Sequence, residues 1–342
     1  MADKDLIQDY IKAGLEPHFE NIPQGYSQKF AHKFTFFNVA PVPIAKWRML
    51  GRQRDGQGFS MEDQQICQFL YTNTFATTNQ LLEYFDIEPE TKHAEYFERR
   101  LTFLVNQHIL NSFTLHQYDH AKGDFSDALT IYCLDFGGKF MLANYGDTKQ
   151  ITNWYSSVNM KSSKFVAESL LLTQFYLRLV KTLKNNNSED LLLNYKPDPE
   201  YRTMSEKVVL AAQIDLKANR NTDNVLSLLV DIVMPDEEAS GYRDRMKLTD
   251  DLLNESDKWK YYFDINDRKP LYIVMLTKPD EQLDYVVRTM INSTKFNQSS
   301  CAFVMSDDLT KGFLDDPGKF KQIMVKNSKA TVRPGILSFF GK

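Results

Sequence analysis

The chain has 342 residues, 42% of them hydrophobic and 25% charged, a balance that suits an ordinary globular protein with room for two domains, each burying a core. A formal net charge of -4 excludes a broadly basic nucleic-acid coat, so any contact with nucleic acid has to be local. Cys67, Cys133 and Cys301 stand far apart in apolar runs without metal-ligand spacing, the start Met-Ala-Asp-Lys-Asp lacks the regions of a signal peptide, and no apolar run approaches membrane-spanning length; a cytoplasmic protein with buried thiols and no membrane contact is expected.

In chain order, residues 1–56 read as an N-terminal arm. Leu6 to Leu15 is a short amphipathic helix, and Pro17, Pro23, Pro41 and Pro43 then discourage regular structure. The arm ends on Lys46-Trp-Arg-Met-Leu-Gly-Arg-Gln-Arg54. Two readings stand for this stretch: Arg48, Arg52 and Arg54 contact DNA phosphates, or the segment is a solvated linker anchored by Trp47 and Leu50.

Residues 57–146 predict three helices and two strands. Ile66, Phe69 and Leu70 fall at helical spacing after Met61, and the run from Ala76 to Phe85 opens on hydroxyl and amide caps. Thr91 to His108 is the third helix, with Phe97, Leu101, Leu104 and Val105 inward and Lys92, His93, Tyr96, Arg99 and Arg100 outward. Two β-prone runs, 109–117 and 128–135, flank a polar turn containing Lys122 and Gly123. This order predicts a winged helix-turn-helix, with the third helix reading DNA and Lys122 in the wing touching an adjacent backbone. A short helix between Gly137 and Gly146 closes the domain.

A polar connector, 147–162, leads to a second domain, 163–325. It opens on an amphipathic helix from Ser163 to Leu183 and continues with a short strand, 191–195. A hairpin of 208–217 and 225–234 follows, then a helix from Tyr242, a buried strand from Pro270 to Thr277, a helix from Asp280 and a strand from Cys301. Together the elements predict an α+β chain whose second domain is a mixed sheet with helices on its faces, followed by a C-terminal tail, 326–342.

Two groups of segments resemble the replication-relaxation family of plasmid and conjugative-element proteins. In the first half they are Phe97-Glu-Arg-Arg-Leu-Thr-Phe-Leu-Val105 and Tyr132-Cys-Leu-Asp-Phe-Gly-Gly-Lys-Phe-Met-Leu142. In the second they are Ser227-Leu-Leu-Val-Asp-Ile-Val233, Tyr242 to Leu252, Lys269 to Thr277 and Asp280-Glu-Gln-Leu283. The resemblance implies an accessory protein that binds double-stranded DNA at a plasmid origin of transfer or replication, with a relaxase, coupling protein or replication initiator as partner.

The element order of the second domain is also that of a restriction-endonuclease-like core, PD-(D/E)xK. Alternation along a strand puts an acid and a lysine two residues on upon one face, where carboxylates hold a divalent metal and the lysine orients water. By spacing alone, Pro197-Asp198 with Asp215-Leu-Lys217 fits. The resemblance instead aligns Asp215 on the first hairpin strand and Asp231-Ile-Val233 on the second, leaving Val233 at the lysine position. A valine cannot donate to water or phosphate, so the core is expected to be degenerate: no enzyme, no metal, no cofactor, and Asp215 and Asp231 as vestigial acids. Asp198, between two prolines, reads as a turn residue. Asp231, among Leu228, Leu229, Ile232 and Val233, needs a partner if it is half-buried.

The six histidines form no ligand pattern. In the tail, Ile336, Leu337, Phe339 and Phe340 resemble the short apolar peptides that bind sliding clamps; the alternative is a tail packed on its own protein or on a neighbouring subunit in a homodimer. The third helix and the wing also carry Glu95, Glu98, Asp119, Asp124 and Asp127, which weakens the positive field a DNA reader needs. A protein–protein interaction scaffold in a conjugation or replication complex is therefore the rival reading, with a metal-dependent nuclease as the remaining alternative.

Overall fold

The computed structural model describes residues 18–19, 43–52, 58–119, 124–146, 154, 159, 163–185, 187–202, 207–217, 224–234, 237–254, 270–276, 279–293, 302–305, 320–326 and 329–334. The chain mixes helix and sheet and divides into two compact units, Met1–Thr173 and Gln174–Lys342. Among the described residues no helix is long and apolar enough to cross a membrane. The helix expected over Leu6 to Leu15 lies outside the described residues, as do Arg54, Lys122, Cys301 and the tail positions Ile336, Leu337, Phe339 and Phe340.

The first unit runs β1 (His18–Phe19), α1 (Ile44–Arg52), α2 (Met61–Asn73), β2 (Ala76–Thr77), α3 (Thr78–Tyr84), α4 (Lys92–Asn106), β3 (Leu110–Asp119), β4 (Asp124–Leu134) and α5 (Phe136–Tyr145). Its sheet has the order β1-β3-β4-β2, with all pairs antiparallel. Side-chain caps define the helix starts. Ser60 and Thr77 form reciprocal capping boxes with Asp63 and Gln80, and Thr91 and Asp135 cap α4 and α5. Ile66, Leu70, Leu81, Phe97, Leu101 and Leu104 fill the core between the helices, each contributing about 1.5–3 kcal/mol by leaving water. The hairpin strands extend further toward the tip than expected: Asp119 pairs with Asp124, past a register shift at Leu115/Gln117.

The end of the arm is a helix, which corrects the loop-like reading. Proline is well suited to the entry of a helix, and Pro43 accepts from Lys46 N at 2.8 Å as α1 begins directly after it. Trp47 and Leu50 are buried on one side of α1. The Trp47 indole donates to Gln107 O at 2.8 Å and packs on Phe140, and Tyr145 Oη reaches Arg48 O at 3.3 Å. A helix this short is marginal alone, so this docking on α5 and on the end of α4 is what holds it.

The long helix α6 (Ser163–Asn185) contains the division between units, which the sequence places instead in the connector 147–162. Its first half belongs to the first unit because that unit binds it: Gln80 Nε2 donates to Leu170 O at 2.8 Å and Thr173 Oγ1 to Phe75 O at 3.0 Å.

The second unit continues with β5 (Leu192–Pro197), β6 (Glu200–Arg202), β7 (Lys207–Val209), β8 (Ala212–Lys217), β9 (Val225–Val233), α7 (Ala239–Asn254), β10 (Leu271–Leu276), α8 (Pro279–Ser293), β11 (Ala302–Met305), β12 (Phe320–Lys326) and β13 (Lys329–Pro334). Seven strands form one sheet in the order β13-β12-β11-β10-β9-β8-β5, parallel across β9-β10-β11 and antiparallel elsewhere. Leu229, Val233, Tyr272, Val274 and Leu276 on the sheet cluster with Tyr242 and Met246 of α7 and Val286 and Met290 of α8. Two expectations change. Val208 belongs not to the hairpin strand but to β7, which pairs with β6. The stretch 326–342 is not all tail, because β13 returns along β12 with Gln322 opposite Arg333.

Cys67 and Cys133 are fully buried free thiols, and burial, aided by Asp63 and Asp135 respectively, pushes both well above the ordinary thiol range. In a Cys301→Ser variant, neither thiol is expected to react with a disulfide reagent at neutral pH until denaturant unfolds the first unit. Reaction in the native state would contradict this packing.

Candidate nucleic-acid interface and the carboxylates of the second unit

Around α4, Ala94, Phe97, Leu101 and Leu104 face the core, while Lys92, His93, Glu95, Tyr96, Glu98 and Arg99 are exposed. Tyr96 is 56% exposed, so its ring and hydroxyl are open to a partner. Arg99 bends back so that its Nε donates to Glu95 O at 3.2 Å. Lys92 and Arg99 are offset on this face by Glu95 and Glu98, so α4 alone presents little net charge.

Arg100 does not join that face. Its Nε donates to Asp63 Oδ1 at 2.8 Å, its Nη2 donates to Asp63 Oδ2 and to Gly58 O, and its guanidinium lies 4.6 Å from the centre of the Phe103 ring. Asp63 is fully buried and also accepts from Ser60 N at 2.7 Å within the α2 capping box. The hydrogen bond to Asp63 raises the Arg100 pKa, and the guanidinium stays charged. The outward reading of Arg100 is thus corrected. Helical spacing puts it at the edge of the buried stripe, and a buried acid on α2, which periodicity cannot reveal, turns it inward.

The charge that α4 lacks is carried by α1. Lys46, Arg48 and Arg52 are all exposed on this helix, whose sequence Ile-Ala-Lys-Trp-Arg-Met-Leu-Gly-Arg contains no acid. The indole bond from Trp47 to Gln107 O fixes α1 beside the C-terminal end of α4.

In the second unit Asp215 and Asp231 lie on one face of the sheet but in different rows. Asp215 is opposite Ser227, and Asp231 is four residues further along the same strand, about 13 Å away at strand spacing. Asp215 accepts from Asn194 Nδ2 at 2.9 Å, from Gln213 Nε2 at 3.0 Å and from Ser227 Oγ, while Tyr201 Oη donates to Gln213 Oε1 at 2.7 Å. Asp231 is 3% exposed and is held by Arg245, whose Nε approaches its two oxygens at 2.9 and 3.1 Å, and by the Tyr272 hydroxyl. Arg245 also donates to both oxygens of Glu237 and, at 3.2 Å, to Ile232 O. Burial works against its charge, but Asp231 and Glu237 outweigh it and the guanidinium pKa is raised. Burial first, and then Asp231, pushes the Tyr272 hydroxyl well up, so it remains a donor.

A divalent metal does not fit these residues. Mg²⁺ takes about six oxygen ligands. Here Val233 is fully buried and apolar, and the pairing of β8 with β9 runs only as far as Ala212 opposite Val230, so no β8 residue is paired with Asp231. Among the described residues no group of three metal-ligating side chains converges anywhere. Asp198 adopts a left-handed φ of 47° just past β5, with its N donating to Ala211 O at 2.9 Å, a turn geometry. The partner that Asp231 requires has no strand-level signature, since Arg245 stands 14 residues away on a helix.

No family model matches the sequence, and neither a curated protein nor a solved structure matches the chain.

Proposed function

We propose that the chain is a double-stranded-DNA-binding accessory protein, with the first unit acting as a winged helix-turn-helix and the second as a non-catalytic scaffold of nuclease-like element order. The observation that carries this reading is the pairing of an exposed, nearly neutral α4 with a docked, wholly basic α1. Lys92, His93, Tyr96 and Arg99 supply groups for a groove, whereas Lys46, Arg48 and Arg52 supply charge for phosphates. Such a division gives affinity from one helix and selectivity from another, on a protein whose net charge is -4. The resemblance to replication-relaxation proteins supports an origin of transfer or replication as the place of action, with a relaxase, coupling protein or initiator alongside. Sliding-clamp binding through Ile336, Leu337, Phe339 and Phe340 belongs to the same proposal.

The test is binding to duplex DNA across a salt series. Arg48→Gln with Arg52→Gln should flatten the slope of log affinity against log salt by about 2, and Tyr96→Ala should reduce discrimination between sequences with the slope unchanged. Unaltered affinity and slope in the double variant would remove α1 from the interface. The balance of Glu95 and Glu98 against Lys92 and Arg99 favours the second reading, a protein–protein scaffold. Failure to bind any duplex, together with a stable complex with a relaxase or coupling protein, would establish that instead.

A further inference from the structure

The buried cluster at the C-terminal end of β9 joins two carboxylates, Asp231 and Glu237, to one guanidinium, Arg245. We propose that the Arg245 guanidinium is the permanent counter-cation of Asp231, standing where a core of this element order would hold a divalent metal, so that the second unit neither needs nor takes up Mg²⁺ or Mn²⁺. The inference is independent of DNA binding by the first unit. A carboxylate offers two oxygens with about four acceptor positions. At Asp231 the Arg245 Nε approaches both oxygens, the Tyr272 hydroxyl donates to Oδ2, and only 3% of the residue is exposed. The guanidinium is likewise spent, with its remaining donors on Glu237 and Ile232 O. Its planar fork sets two parallel donors on Glu237 while Nε serves Asp231, a fixed geometry that an ammonium group lacks.

A metal ion would have to expel this fork and then find ligands. The position two residues on along the strand is the apolar Val233, and β8 pairs no residue with Asp231, its ladder ending at Ala212 opposite Val230. Asp215, the other acid of the sheet face, is engaged by Asn194, Gln213 and Ser227. The cation therefore has a structural task. Through Glu237 it ties the segment after β9 and the first turns of α7 to the middle of the sheet.

The test uses the full chain and its thermal midpoint with and without millimolar MgCl₂ or MnCl₂. Neither salt should move the wild-type midpoint. Arg245→Met leaves two acids beside each other without a cation and should lower the midpoint by about 10 °C. MnCl₂ should restore none of that loss, because the site without its guanidinium still lacks the oxygen ligands a divalent ion needs. In Asp231→Asn/Arg245→Met the midpoint should recover in part, because asparagine still accepts from Tyr272 and the charge at position 231 is gone, whereas Glu237, whose side chain is 11% exposed, still lacks its guanidinium partner, and MnCl₂ should have no effect. Should the single variant fail to fold, recovery of folding in the double variant gives the same answer, and failure of both overturns the proposal. A wild-type midpoint raised by MnCl₂, additive effects of the two replacements, or rescue of Arg245→Met by MnCl₂ would also overturn it.

Discussion

Arg100→Ala should destabilise the first unit by about 3–5 kcal/mol, the cost of stranding a buried carboxylate. Asp63 is wholly inaccessible, and its remaining charge-stabilising contact would be the Ser60 amide. Gly58 O would lose its guanidinium donor at the same time. Denaturant unfolding measures the loss, and a double-mutant cycle with Asp63→Asn separates the pair from its surroundings. Asp63→Asn/Arg100→Met should be markedly more stable than Arg100→Ala, because no charge is then buried without a partner. Arg99→Ala, on the neighbouring residue, should change stability by less than about 0.5 kcal/mol, as exposed positions do. The DNA readout should run the other way. Arg99→Ala, which removes a groove contact, reduces discrimination between sequences, whereas Arg100→Ala, at temperatures where it is folded, leaves discrimination and salt slope intact. Equal stability losses for the two arginines would dismiss the ion pair between α2 and α4.

The contrast between these adjacent arginines marks what the sequence can and cannot carry. Periodicity placed Phe97, Leu101 and Leu104 correctly because apolar residues at helical spacing make one face that packs into a core. It could not place Arg100, since a charge at the edge of the stripe goes outward or inward according to what the next helix buries. Capping residues announced the start of α3 for a local reason, a side chain bonding to an amide three residues on, and Ser60 and Thr91 do the same for α2 and α4. α1 escaped because its prolines precede it and its stability comes from Trp47 reaching Gln107, 60 positions away. In the second unit the strong runs of β9 and β10 were legible. The hairpin of β12 and β13 was not, although Phe-Lys-Gln-Ile-Met-Val-Lys and Lys-Ala-Thr-Val-Arg-Pro are separated by Asn327-Ser328, a turn pair. The site acids were visible as residue types, but register decided that Asp215 and Asp231 do not share a centre.

Gly137→Ala should cost about 1–3 kcal/mol even though alanine is the better helix former by about 1 kcal/mol, because the space for its methyl group is already filled. A Cβ at position 137 would lie 2.4 Å from His108 O and 2.8 Å from the Trp47 ring, and one at position 138 would lie 2.5 Å from Ile109 O. These are backbone carbonyls held in place by hydrogen bonds, His108 O by Gly137 N at 2.8 Å and Ile109 O by Asp135 N at 3.0 Å. They cannot swing aside as a side-chain tip would. His108 itself adopts a left-handed φ of 54° to end α4, which leaves the turn little latitude. Gly138→Ala should therefore destabilise the unit by a similar amount. Gly137→Ala has a second consequence, since its methyl group displaces the indole that anchors α1. With Trp154 and Trp259 replaced by phenylalanine, emission from Trp47 should shift to the red in Gly137→Ala and remain unchanged in Gly138→Ala. Because Arg48 and Arg52 ride on α1, DNA affinity should fall with the first substitution and hold with the second in the folded protein. Native stability and an unshifted Trp47 in Gly137→Ala would mean that α1 is not seated against the end of α4, and the division of labour between the two helices would fail with it.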